Sequence, residues 1–443
     1  MPAPDGGYPG ENTAEGTNAL LNLTSGIDNT AVGFDALMTT QTSMENTAVG
    51  VAALGANTSG NTNTAIGYET LTRNTTGKNN TAVGGNAMLS NIGGHDNTAT
   101  GLNALFSNTS GISNTANGVA ALGANTIGED NTAVGISALE QNMDGSFNTA
   151  VGASALDSNT SGGSNTAVGL NALFFNTTGS DNTAHGVNAL LNNIGGVNNS
   201  AHGAFALQSN KGGRDNTALG FQALKANVGG SNNVAVGSNA GASLTTGGNN
   251  IVIGAGVLGK AGEGNTTRIG KTTQTATYIG GIYNKTVASA SGVAVFVDST
   301  GKLGTVKSSA RYKDNIKPMD RASEAILNLE PVTFRYKQEL DPDGVTQFGL
   351  IAEQVEKVDP ELIVRDEDGK VSTVRYEAVN AMLLNEFLKE HRNVAEQQST
   401  IAQLKTTVAQ QQKQIAALTS TVQKVSEQVL LGKPAPQVVT TGQ

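Results

Sequence analysis

Apolar residues in the first part of the chain fall in short patches between polar, glycine-containing stretches, and the spacing of the patches is constant. An asparagine stands at 12, 29, 46, 63 and every 17 residues from there to 250, fifteen in succession without an insertion. Two residues after each comes alanine, except in the last copy, where it is Val252; four residues after each comes glycine, from Gly16 to Gly254. Seven and eight residues after comes Ala-Leu in most copies, as in Ala36-Leu37, Ala104-Leu105 and Ala172-Leu173. The consensus is N-T-A-V-G-x-x-A-L-x-x-N-T-x-G-x-x. A repeat this short cannot hold a helix pair, but it suits one coil of a parallel β-solenoid, with short strands between glycine and asparagine turns. The stack is expected to rise about 4.8 Å per coil, giving a rod of roughly 70 Å. Asparagine then forms a ladder at the turn, glycine sits where φ is positive or backbones crowd, and alanine and leucine face inward.

After residue 266 the period fails. Residues 267–307 alternate β-branched and polar side chains between glycines, which predicts short strands forming a neck. Beyond them a helix signal in "DRASEAILNLEP", strands in "VTFRYK" and "LIVRDEDGKVSTVRY" with a hairpin turn at Asp368-Gly369, and a helix from about Tyr376 predict a small α+β domain. Val394, Ile401, Val408, Ile415, Val422 and Val429 then recur every seven residues, with Gln397, Leu404, Gln411, Leu418 and Val425 between them. These are the a and d positions of a coiled coil over 387–431. The predicted organisation is an N-terminal segment 1–11, a solenoid of fifteen 17-residue coils over 12–266, the neck 267–307, the α+β domain 308–386, the coiled coil, and a disordered tail 432–443.

Composition sharpens this picture. With 56 glycines, 4% aromatic residues, no tryptophan and 14% charged residues, the chain cannot be one large globular core. Residues 1–260 carry 15 Asp or Glu against 6 Lys or Arg, so the repeat half offers no basic track for a phosphate backbone and nucleic acid is not an expected ligand. Without cysteine there are no disulfides or thiolate metal sites. No apolar run of 18 residues exists, so membrane insertion is not expected, and the start lacks the basic and apolar regions of a signal peptide.

Each coil supplies little more than Ala, Val, Ala and Leu, a thin interior, and the expectation is that several chains share a core. "NTAVG" followed by "AL" and a glycine turn resembles the head repeats of trimeric autotransporter adhesins and of phage tail-fibre shafts, over about residues 12–266. That resemblance implies β-rolls packed about a threefold axis, and hence a homotrimer. The threonine column one residue after Asn is a single row, which leaves ice binding a remote alternative. Calcium-binding nonapeptide repeats need regularly placed aspartates, which the array lacks. In the column three residues after Asn, normally Val or Ile, stand Thr100, Asn117, His185 and His202. If that column faces a threefold axis, His185 and His202 form stacked rings able to hold a metal or an anion; otherwise they are polar residues tolerated at a solvent-lined position. No cofactor is expected.

The segment "KSSARYKDNIKP" opens the α+β domain. With "GLIAEQVEKVDPEL" further on, residues 307–395 resemble the endosialidase-type intramolecular chaperone of phage tail spikes and fibres, which cleaves itself off after folding. The family motif Ser-Asp-x-Arg-x-Lys-x-Asn-Ile is matched by Ser308, Arg311, Lys313, Asn315 and Ile316, while Ser309 stands where the family usually has Asp. The resemblance implies that Ser308 attacks the carbonyl before it with Lys313 as base, so that the scissile bond is Lys307-Ser308. Lysine can act so only as a neutral amine, which requires burial or a neighbouring positive charge such as Arg311.

Near-identical coils also pose an alignment problem. A slip of 17 residues between neighbouring chains replaces almost every contact by an equivalent one, so something outside the repeat must set the register. The combined expectation is a trimeric fibre or spike, on a virion tail or a bacterial surface, matured by self-cleavage. Its partners would be its own copies and an unidentified host-surface receptor or fibre-attachment protein. The alternative is a bacterial surface or secreted repeat protein that retains a non-cleaving chaperone domain.

Overall fold

The computed structural model describes residues 6–279, 293–298, 301–366 and 368–432. The chain divides into two compact units, Met1–Ile279 and Gly280–Gln443.

The first unit is a parallel β-solenoid. Each coil contributes one short strand, the T-A-V of the consensus, from Asn12–Glu15 and Thr30–Val32 through to Ile251–Ile253. Neighbouring strands pair in parallel at an offset of one repeat, Thr30 opposite Thr47, Ala31 opposite Ala48 and Val32 opposite Val49. The two ends depart from the repeat. Thr267–Ile269 adds a rung one residue short of the period. Gly6–Tyr8 folds back antiparallel on Asn12–Glu15, so the segment ahead of the first coil covers a sheet edge that would otherwise expose unpaired N–H and C=O groups.

The interior closes within one chain. Ala31, Ala36 and Leu37, and their equivalents in most coils, are wholly buried. Two asparagine ladders complete the packing. In the first, Asn46 donates from Nδ2 to Asn29 Oδ1 at 3.1 Å and to the Gly60 carbonyl at 3.0 Å, and its backbone N–H donates to the same Oδ1 at 3.1 Å. The second runs from Asn57 to Asn227, at the other asparagine of the consensus; Asn108, for example, donates to Asn91 Oδ1 at 2.8 Å and to the Gly111 carbonyl at 3.1 Å. Buried amides are tolerated along the ladder because an interior member such as Asn74 donates to the coil before it and to its own turn and accepts from the coil after it. The ladders supply the interior that the alanines and leucines alone leave thin.

The two glycine columns serve different needs. Gly135 has φ +136°, and a Cβ there would lie 2.5 Å from the Gly152 carbonyl oxygen. At Gly77 φ is ordinary, and the obstacle is space: a Cβ would meet Asn74 Oδ1 at 2.3 Å and the Gly94 oxygen at 2.5 Å. In the coil where Thr40 replaces the second asparagine, Ser43 replaces this glycine, and its hydroxyl accepts from Asn57 Nδ2 at 3.2 Å. Leucine takes the left-handed conformation coil after coil, as at Leu37 with φ +50° and Leu105 with φ +52°. That costs about 1 kcal/mol or more per residue. It is offset by full burial of the side chain, about 2 kcal/mol, and by the ladder bond from Leu37 N–H to the Ala53 carbonyl at 3.0 Å.

The second unit is small and mixed. Phe296–Val297 pairs antiparallel with Leu303–Gly304, two of the strands expected in the neck. The remaining neck residues, 280–292 and 299–300, and the tail 433–443 lie outside the described residues. The helix expected in "DRASEAILNLEP" forms as a 3-10 helix, Asp320–Asn328. Val332–Phe334 pairs antiparallel with Gln347–Gly349, and Ile363–Arg365 with Val371–Val374 around the Gly369 turn, where φ is +78°. Helix α1, Ala352–Val358, and helix α2, Tyr376–Leu431, complete the unit. Val355, Leu362, Ile363, Val374 and Met382 make its buried core. Along α2 the heptad residues Ile401, Leu404, Val408, Ile415, Leu418 and Val422 are exposed on the single chain. Among the described residues no helix is long and apolar enough to cross a membrane.

Candidate functional site

Ser308 and Lys313 flank a single 3-10 turn, Ala310–Tyr312, that opens the α+β domain. The turn is closed by Tyr312 N–H donating to the Ser309 carbonyl and Lys313 N–H donating to the Ala310 carbonyl, both at 3.0 Å. This folds the five-residue spacing back on itself, and Lys313 Nζ lies 3.5 Å from Ser308 Oγ. Ser309 occupies the N-cap of the turn without a side-chain capping bond. The position that departs from the family motif is therefore one where aspartate and serine are both suitable caps.

The auxiliary residues fall around this turn. The Arg311 guanidinium sits over the Tyr312 ring, 4.8 Å from its centroid. Asn315 holds a left-handed backbone, φ +55°, which asparagine tolerates better than most residues. Residues 307–316 are all exposed on the single chain, so the desolvation that a neutral lysine needs is not provided by one chain alone.

A second serine and lysine meet in the same unit, and the sequence reading did not single them out. Ser323, wholly buried on the 3-10 helix Asp320–Asn328, accepts from Asn385 Nδ2 at 2.7 Å and hydrogen-bonds the Glu386 carboxylate. Lys389 Nζ is 3.5 Å from Ser323 Oγ and 2.7 Å from Glu386 Oε1. Hydrogen bonds from Lys389 and Ser323 hold the Glu386 carboxyl below the usual carboxylate range, and Glu386 in turn raises the Lys389 ammonium. A lysine that stays charged is a poor base for serine, and these contacts fasten the 3-10 helix to α2. The Glu386/Lys389 spacing was visible on α2; its serine partner, 63 residues away from Glu386 in sequence, was not.

In the solenoid, His185 and His202 stand opposite each other on adjacent strands, Nδ1 to Nδ1 at 3.2 Å with ring centroids 5.0 Å apart. Thr100 and Asn117 likewise adjoin on their strands in the same column.

Residues 308–364 match the family described as Chaperone of endosialidase. The match begins at Ser308 itself and covers the turn, the strand pair Val332–Phe334 and Gln347–Gly349, and α1. Over these residues the chain is similar to the peptidase-type chaperone domains of that family. Comparison with curated proteins and with solved structures returned no match. A chaperone domain of this type following a β-solenoid fits a fibre- or spike-type protein.

Proposed function

We propose that the chain is the subunit of a homotrimeric fibre or spike that attaches to a host or other surface, and that its C-terminal chaperone domain aligns three chains and then releases itself at Lys307-Ser308. The supporting observation is the family match that starts at Ser308, beyond the neck that follows a shaft of interchangeable coils. The tail-fibre and adhesin likeness of the repeats supports a mature product on a virion tail or a bacterial surface, with a surface receptor or a fibre-attachment protein as its partner.

The chemistry follows from the 3.5 Å approach of Lys313 Nζ to Ser308 Oγ. As a neutral amine Lys313 takes the Ser308 hydroxyl proton while Oγ attacks the Lys307 carbonyl carbon. The C–N bond to Ser308 breaks, its nitrogen receives the proton from Lys313, and the Lys307 acyl group is left as an ester on Oγ. Water hydrolyses that ester, releasing a Lys307 carboxylate and restoring the Ser308 hydroxyl. Because the pair is exposed on one chain, the burial that neutralises Lys313 comes from packing of the copies, and cleavage waits for assembly. Removing the aligning element leaves a shaft whose persistence is kinetic.

Three exposed heptad stripes such as that of α2 would pack as a coiled coil over 387–431, holding three chains level while the coils zip upward. Denaturing gels of the expressed protein test the reading: a band ending at Lys307 and a smaller one beginning at Ser308 are expected, and Ser308→Ala leaves one full-length band. Cleavage that persists in Ser308→Ala overturns the dyad. A full-length wild-type band favours the retained-chaperone alternative, for which Ser309 at the usual Asp position is the motivating departure.

A further inference from the structure

We propose that His185 and His202, with the same two residues of two further copies of this chain, bind one divalent late first-row metal ion of the kind imidazole prefers, such as zinc. The proposal rests on the homotrimer reading and adds to it a ligand.

The inference starts from strand alternation. In each T-A-V strand the alanine points into the solenoid and its two neighbours point out. The outward column at the valine position, with the apolar column just beyond the glycine, forms one exposed stripe along the coils; Val49, Val51, Ile66, Tyr68, Val134 and Ile136 are examples. An apolar stripe of this length marks a contact surface. Its occupant is the same stripe on other copies. The constant 17-residue period lets two stripes match rung for rung, and α2 carries a second, separate apolar stripe at heptad spacing in the same chain. His185 and His202 lie within this stripe, directly between Val168 and Leu219.

The two ring nitrogens are close enough to share one ion. The Nδ1 atoms are 3.2 Å apart. Neighbouring nitrogens among six arranged octahedrally about one ion at ~2.0–2.1 Å stand about 2.9 Å apart, so a small turn of each ring brings the pair onto it. A proton can bridge the two nitrogens only when one ring carries it and the other does not, whereas a metal ion uses both lone pairs. One chain is insufficient, since among the described residues no cluster of three or more His, Asp or Glu could hold a metal. The site is completed by imidazoles of the other copies, which the shared stripe brings to the same level. Both histidines are half-buried on the single chain and would lose their remaining water there.

The test uses the untagged protein as isolated, stripped with chelator, loaded with zinc and freed of excess, with metal content by mass spectrometry and particle mass by light scattering. One zinc retained per three chains is expected, with a rise in unfolding temperature on loading. His185→Asn/His202→Asn keeps the trimer mass but loses both the zinc and the temperature rise; Asn117 already occupies this column, so the fold accepts the change. His95→Asn/His391→Asn removes the other histidines and retains the zinc. A trimer without zinc, or equal zinc in the 185/202 variant, overturns the proposal and leaves the trimer standing. A monomer overturns both, and the particle mass alone identifies that case.

Discussion

Asn74 donates from Nδ2 to Oδ1 of Asn57, 2.8 Å away and one coil earlier, and to the carbonyl of Gly77 in its own turn at 3.0 Å. Its own Oδ1 accepts from Asn91 one coil later, at 2.7 Å. Removing the amide leaves Asn57 Oδ1 without its donor and one Asn91 N–H without its acceptor, both buried, at about 1–3 kcal/mol each, while the Gly77 carbonyl keeps its bond from Asn63 Nδ2 at 2.9 Å. Asn74→Ala should therefore lower stability by about 3 kcal/mol or more, with faster amide exchange in the coils on either side. Exchange unchanged in those coils would show that the ladder is not a stabilising element.

The glycine at +136° allows a sharper contrast. Gly135→Ala forces a Cβ to within 2.5 Å of the Gly152 oxygen in a conformation that side chains avoid, whereas an added methyl at Gly212 meets nothing within 4 Å. Thermal unfolding should show a loss of about 3 kcal/mol or more for Gly135→Ala and little change, within about 0.5 kcal/mol, for Gly212→Ala. Equal melting temperatures for the two variants would contradict the assigned backbone path.

Asp157 is half-buried, and burial, followed by the nearby Glu140 carboxylate, pushes its carboxyl up from the ordinary value. A carboxyl raised in the folded state binds its proton more tightly there than in the unfolded chain. Its favourable contribution is complete below the unfolded pKa and is lost as pH rises through the folded one. Asp157→Asn should accordingly raise the melting temperature at pH 7 and leave it nearly unchanged at pH 3. A destabilised variant at pH 7 would show that the carboxylate is doing something the burial and charge of its column do not reveal.

The opposite sign applies at Glu386, held low by Lys389 and Ser323. Its contribution is present above the unfolded carboxylate pKa and disappears as pH falls through the folded value. Glu386→Gln should weaken the second unit at neutral pH and flatten its acid transition, followed by proteolysis between the 3-10 helix and α2. Identical acid transitions in both proteins would remove the latch.

Much of the architecture was legible because a solenoid repeats its signals. Fifteen asparagines at one spacing, with glycine four residues later, specify a coil whose every column points the same way, and Ala31, Ala36 and Leu37 are buried as that pattern requires. The hairpin at Gly369 and the start of α2 at Tyr376 also follow from local turn and helix chemistry. Other features carried no local mark. Leucine has no preference for positive φ, so the left-handed turn at Leu37 emerges only from its burial and the ladder bond to Ala53. Gly6–Tyr8 reads as a loop until the sheet edge it covers exists. The Ser308–Lys313 approach was legible from spacing and motif, but the burial that would make Lys313 a base was not, since it depends on surfaces beyond one chain.

Interchangeable rungs give the shaft no means of counting, and on the proposed reading the domain from Ser308 onward levels three chains. The most direct test compares the full chain with one whose synthesis stops at Lys307, scoring sedimentation and rod length by electron microscopy. The account predicts uniform trimeric rods from the full chain and ragged, polydisperse or aggregated material from the truncated one. Uniform rods of equal length from the truncated chain would contradict it.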